Sequence, residues 1–239
     1  MPRKPRAFEI GGVYHILNRG VEKRKIFLKN QDYSRFIFGL EFFNDKDSND
    51  LWKVLSRGGT VPPRVLEERI AAERNRKQKP IVELLAFTLI PNHYHLILKE
   101  IREGGISLFM RKMGGYSTYF NKQYARVGSL LQSRYTSVRI ENDVQLNNVF
   151  VYVHTNPVEL VEPEWKKFKV QNSKKAVEYL ENYKWSSYHD YVGNPTFPLA
   201  TQRTFFLNFY GKEDNCRQVI KDWIEFKAQR TELGPEILE

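Results

Sequence analysis

Two histidines at 93 and 95 and a tyrosine–asparagine pair at 152 and 156 have types and spacing that offer chemistry. In an extended segment side chains alternate, so His93 and His95 face one way and Tyr94 the other. Two imidazoles on one face can grip a single divalent metal, because neutral histidine is a common ligand. The pair follows Pro91-Asn92, a turn signal, so the shared face is expected to be open. Two ordinary surface histidines would show the same spacing. Tyr152 and Asn156 are four residues apart in a helical pattern and therefore share a face. The amide oxygen of Asn156 offers a third metal ligand, with Tyr152 one turn away. A tyrosine beside a metal that polarises a phosphodiester is a candidate nucleophile. An ordinary phenol, with a pKa near 10, needs help from the metal or a base. The plainer readings are an aromatic packed on a sheet and a polar residue before proline. His154 faces away from Tyr152 and is given no role.

The elements that must position these groups are legible along the chain. Residues 1–10 read as a basic arm, and 13–18 (VYHILN) as a strand. Asn30 and Asp32 cap a helix whose stripe is Tyr33, Phe36, Ile37, Leu40 and Phe43. Residues 45–80 are charged and poor in apolar side chains, and read as an inserted loop with a short solvated helix. Residues 81–90 (IVELLAFTLI) form a strand buried on both faces, paired as a hairpin with 93–99 (HYHLILK). One helix is expected over 107–123, although Gly114-Gly115 lies inside it. A strand at 135–140 follows. Asp143 then caps a helix that runs to about Thr155 and ends at Asn156-Pro157, because a residue before proline is pushed out of the α region. The order β-α-β-β-α-β-α predicts an α/β (α+β) fold, an antiparallel-rich sheet with helices on one face. The expected division is a domain at 1–160 and a helical extension at 161–239 packed on it. In the extension, 221–227 (KDWIEFK) reads as an amphipathic helix.

Composition narrows the partner. Lys and Arg number 38 against 28 Asp and Glu, a net charge of +10, which suits a polyanion. Aromatic and basic residues interleave at 116–126 (YSTYFNKQYAR) and 132–139 (QSRYTSVR), as suits single-stranded nucleic acid. The chain is 41% hydrophobic, which excludes a disordered protein. A single cysteine, Cys216, excludes a disulfide framework and a cysteine-rich zinc module, and fits a cytoplasm. No apolar run is long enough to span a membrane, and no signal peptide or membrane partner is expected.

Taken in order, these segments resemble the IS200-like single-tyrosine HUH transposase family, and most nearly its REP-associated tyrosine transposases. The matching stretches are GGVYHILNRG (11–20), LIPNHYHLIL (89–98), SLFMRKMGGYSTYFNKQY (107–124), LLQSRYTSVRIEND (130–143), VYVHTNPVEL (151–160) and YKWSSYHDYVG (183–193). The resemblance implies a ferredoxin-like palm and a Mg²⁺ or Mn²⁺ cofactor. It implies His93 and His95 as metal ligands, Asn156 as the third, and Tyr152 as the nucleophile. The implied activity is nicking and rejoining of single-stranded DNA beside hairpins through a 5′-phosphotyrosine, in the cytoplasm at the nucleoid. A non-cleaving hairpin-binding protein is the alternative, and a water-using nuclease or an RNA partner stays open. Both monomers and homodimers occur among such proteins. Arg19, Arg111, Lys112, Arg134 and Arg139 are the candidate DNA contacts, each of which would also pass as solvated surface charge.

Overall fold

The computed structural model describes residues 7–46, 68, 71 and 79–233. Most of the expected 45–80 insertion, and the first six residues of the basic arm, lie outside the described residues. Strands β1 (Val13–Arg19), β2 (Val82–Ile90), β3 (His93–Glu100) and β4 (Thr136–Ile140) make one sheet in the order β2-β3-β1-β4. Every neighbouring pair is antiparallel, which is the expected α+β palm.

Strand alternation decides what each face carries. Tyr14 and Ile16 of β1 and Tyr94, Leu96 and Leu98 of β3 point to one face. Helices α1 (Asn30–Phe42), α2 (Gly105–Met113) and α3 (Gly115–Gln123) bury them there. Ile97 and the histidines of β1 and β3 point to the other face. It is covered by α4 (Asp143–Thr155) and by α5 (Ser173–Asn182), α6 (Tyr188–Tyr191), α7 (Thr204–Tyr210) and α8 (Glu213–Leu233). Helices therefore cover both faces, not one. The central strands are apolar on both sides, and a single helical layer would leave Leu85, Ala86 and Ile97 in water.

Several local expectations shift by a residue or a turn. The helix expected over 107–123 is two, divided at Gly114, whose angles nonetheless stay helical at φ −55° and ψ −24°. Asp32 holds the start of α1 from within, its Oδ2 accepting from the N–H of Leu28 at 2.8 Å and of Lys29 at 2.9 Å. Asn142, not Asp143, caps α4: its backbone is extended and its Oδ1 accepts from Gln145 N–H at 2.9 Å. Asp143 instead sits in the first turn, where a carboxylate favours the helix dipole. Asn156 keeps helical angles, φ −55° and ψ −36°, despite the following proline. The chain tightens there into a 3₁₀ turn, Asn156–Leu160, and Pro157 falls at its start, where no N–H is needed.

The residues after α4 close the free edge of the sheet. Strand β2 is an edge strand and would expose a row of apolar side chains and unpaired backbone groups. The Leu89 N–H donates to Trp185 O at 2.9 Å and the Ser187 N–H to Phe87 O at 2.9 Å. Tyr183 Oη donates to Leu89 O at 2.5 Å, and Tyr191 Oη donates to Leu85 O. Residues 221–227 lie in α8 as the amphipathic pattern predicts, with Cys216, Ile220 and Ile224 buried in the same cluster as α4.

His154, given no role from sequence, pins α4 to this layer. Its Nδ1 donates to Phe150 O at 2.9 Å, so its Nε2 accepts from Ser187 Oγ at 2.8 Å. The same Oγ accepts from Phe87 N–H at 2.9 Å. Burial pushes the His154 imidazole down to about 3 and keeps it neutral. Ser187→Ala removes a partner from two buried groups and should cost roughly 1–3 kcal/mol. Chemical denaturation would measure this, and an unchanged midpoint would refute the bridge.

Candidate active site

The site begins with the pairing of β1 and β3. Leu17 lies opposite His95 and Arg19 opposite His93, so His15, Arg19, His93 and His95 share one face. His15 meets His95 on the diagonal, with Nε2 of His15 2.9 Å from Nδ1 of His95. Helix α4 crosses above them. The Tyr152 ring stands edge-on to His95 at 5.3 Å and to His15 at 5.9 Å between centroids. One turn on, Asn156 Oδ1 lies 3.2 Å from Nε2 of His93. Tyr152 and Asn156 thus share a face, and that face looks onto the two histidines.

The histidines are not on an open face. His93 and His95 are each 2% exposed, because α4 and the turn after it close over the strand. Tyr152 itself is 38% exposed, so part of its side chain is open to solvent. Burial dominates the imidazoles' acidity. It pushes His15 and His93 down to about 4 and His95 well below its ordinary value. The neighbouring cations Arg19 and Lys166 push His93 and His95 the same way. All three rings are therefore neutral near pH 7, with lone pairs free to bind a metal.

Two polar atoms in this cluster are buried without a partner: His95 Nε2 and Asn156 Nδ2. An unpaired buried imidazole nitrogen is costly, and a cation would relieve it. His93 Nε2 faces Asn156 Oδ1, and 3.7 Å away lies Oε1 of Glu159. Among the described residues, no three His, Cys, Asp or Glu side chains form a ligand set by themselves. The donors that fit are the imidazoles of His93 and His95 with the amide oxygen of Asn156, and the Glu159 carboxylate beside them. A hard divalent cation suits this mixture of nitrogen and oxygen. When His95 Nε2 carries the lone pair, His95 Nδ1 carries the proton and donates to His15 Nε2, which fixes the ring.

Residues 61–156 match the family model described as transposase IS200 like. Over those residues the chain is similar to that family. A solved structure described as a REP-associated tyrosine transposase bound to a REP hairpin is similar at 17% identity. That likeness covers 82% of this chain and 90% of that one, with a TM-score of 0.47. No curated protein matches. Among the described residues, no helix is long and apolar enough to cross a membrane. The matched stretch holds His93, His95, Tyr152 and Asn156. His15, Arg19 and Glu159 lie outside it, although they border the same cluster.

The five basic candidates do not form one surface. Arg19 borders the histidines. Arg111 and Arg134 line a cavity of about 480 Å³ on the opposite face of the sheet, floored by Asn18, Phe36 and Tyr94. Lys112 donates to the carbonyl of Asp45. Arg139 pairs with Glu9 at 2.6 Å on that opposite face, in an exposed ion pair. Sequence reasoning missed His15 and Glu159. The signal for His15 was its parity with the histidines once β1 and β3 are paired. The signal for Glu159 was its place three residues after Asn156, since a 3₁₀ turn brings every third residue to one side.

Two outcomes follow from this geometry. A buried histidine with a folded pKa near 4 takes up fewer protons than the unfolded chain, whose histidines titrate near 6.5. Stability is therefore full above about pH 6.5 and is lost as the pH falls toward 4. Urea midpoints of metal-free protein should drop across that window, and His15→Gln should flatten the drop; a midpoint independent of pH would contradict the burial. The same His15→Gln variant should bind Mn²⁺ about 10–100-fold more weakly by titration calorimetry, as expected when the partner that orients a ligand is lost. Equal affinity would remove His15 from the site.

Proposed function

We propose that this protein is a metal-dependent nickase and strand transferase acting on single-stranded DNA beside hairpins, with Tyr152 as its nucleophile. The observation that carries the reading is one cluster: an accessible phenol 5.3 Å from the His95 ring, on the same helix face as an amide that touches His93. The IS200-like match over 61–156 supports the same chemistry.

The side chains divide the work. His93, His95 and Asn156 would hold Mg²⁺ or Mn²⁺. When bound, that ion supplies a Lewis acid for a non-bridging oxygen of the scissile phosphate. His15 orients His95. Helix α4 holds the partly exposed Tyr152 ring beside the cluster, from which its oxygen would approach phosphorus in line with the leaving O3′. The new Tyr152–phosphorus bond replaces the phosphorus–O3′ bond. The products are a 5′-phosphotyrosine and a free 3′-hydroxyl. Because one phosphoester replaces another, an incoming 3′-hydroxyl can reverse the step and join strands. Arg19, at the rim of the cluster, is placed to take backbone charge from the bound strand.

The test is incubation with Mn²⁺ and 3′-labelled single-stranded oligonucleotides carrying hairpins, resolved on a denaturing gel. Wild type should give a labelled band at protein mass, and Tyr152→Phe should give none. Cleavage that survives in Tyr152→Phe would mean hydrolysis by water. Salt-sensitive binding without cleavage across a broad pool would mean a hairpin-binding protein, and a preference for RNA over the same DNA would change the substrate.

A further inference from the structure

Beyond the metal-facing cluster, one cation reaches the site from the segment after the matched family stretch. Glu159 sits between two partners. Its Oε1 lies 3.7 Å from His93 Nε2, and its Oε2 is bonded to the ammonium of Lys166. The exposures form a gradient from interior to solvent: His93 2%, Glu159 18%, Lys166 49%. Lys166 therefore stands at the mouth of the cluster, with one hydrogen given to Glu159 and the rest of its ammonium facing outward.

The turn that carries Lys166 is held unusually firmly. It is the 3₁₀ turn Trp165–Lys167, and Trp165 is 2% exposed. Lys227 of α8 reaches beneath it and donates to Trp165 O at 3.0 Å. Its ammonium lies 4.0 Å from the ring centroid of Trp165 and 4.5 Å from that of Phe168. Phe168 closes the turn at φ 59°, a left-handed conformation that a bulky side chain adopts only when its surroundings demand it. Trp165 and Lys166 are adjacent, so anchoring one inward aims the other toward Glu159. A surface lysine ordinarily loses rotamer freedom when fixed, and here the turn and the carboxylate together hold it.

We propose that Lys166 binds the backbone phosphate of the strand at this site, held in place by Glu159, so that the segment beyond α4 completes the phosphate site. This deepens the strand-transfer reading and rests on it. Glu159 is a positioning residue on this view, acting through Lys166. Arg19, opposite His93 on β1, would be the second cation beside the same cluster. A simpler role is that Lys166 only neutralises Glu159, and the two roles predict different double variants.

The experiment measures binding of a fluorescein-labelled single-stranded oligonucleotide carrying a hairpin, with Mg²⁺, in a Tyr152→Phe background that cannot transfer the strand. Affinity is followed against salt. Lys166→Gln should bind about tenfold more weakly at low salt. Its slope of log affinity on log salt should shrink by about 0.7, the value for one phosphate contact on a single strand. Lys166→Arg should keep most of both. The double variant Glu159→Gln/Lys166→Gln, which restores the parent's net charge, should stay as weak as Lys166→Gln. An unchanged slope in Lys166→Gln, or recovery in the double variant, would overturn the proposal. Loss of fold in any variant would show in its circular dichroism melt, and Lys166→Met then repeats the slope measurement. A parent protein that binds no such oligonucleotide would overturn the strand-transfer reading and this inference together, whereas binding by the parent with an unchanged slope overturns this inference alone.

Discussion

The register of β1 against β3 is the constraint on which the site depends. Leu17 opposite His95 puts His15 on the same face as both histidines and brings its Nε2 to 2.9 Å from His95. Side chains alternate with a period of two, so a slip of one residue would send His15 and Arg19 to the far face and bring Tyr14 and Asn18 in their place. The register is secured by burial on both sides. Ile16 and Leu96 pack under α1 to α3 while Ile97 packs under the C-terminal helices, and no shifted pairing satisfies both cores at once.

Helix α4 supplies the second half of the cluster, and its ends are fixed by different means. Asn142 caps the start, and Pro157 turns the end into a 3₁₀ segment without breaking it. That tightening matters chemically. In an α-helix residue 159 would sit about 60° around the axis from residue 156, whereas a three-residue turn stacks Glu159 directly over Asn156, with its carboxylate 3.7 Å from His93. The interior of α4 is tied to the sheet edge through His154 and Ser187, while its Tyr152 side stays exposed to solvent. Neutral buried imidazoles serve both purposes: one closes a structural bridge, and three others lie beneath Tyr152 with an unpaired nitrogen among them.

The region after α4 does more than cover apolar surface. It supplies the partners that an edge strand needs, with Trp185, Ser187, Tyr183 and Tyr191 meeting the backbone of β2. It also carries the aromatic cage around Lys227, which sets the turn at 165–168. An ammonium buried against ring faces has its acidity raised by desolvation, and Lys227 is pushed down to about 8. Its cost is offset by the ring quadrupoles and by the Trp165 carbonyl, so the cage acts as a rigid joint between α8 and the site's rim.

Amino-acid order alone determined the strands, the hairpin and the helix that carries Tyr152, because alternation, turn residues and helical spacing are local signals. It also determined that His93 matches His95, and Tyr152 matches Asn156, in facing. It did not determine that helices cover both faces, since a buried strand and a half-buried one differ only in what comes to lie against them. Nor did it locate His15, 78 residues before His93, or Glu159 and Lys166 beyond the proline. Those residues join the cluster only through strand pairing, a tightened turn and a cage of aromatic rings. The scatter of Arg111, Arg134 and Arg139 to the opposite face has the same cause: charge is a property of sequence, but the side of a sheet on which a charge stands is decided by pairing and packing.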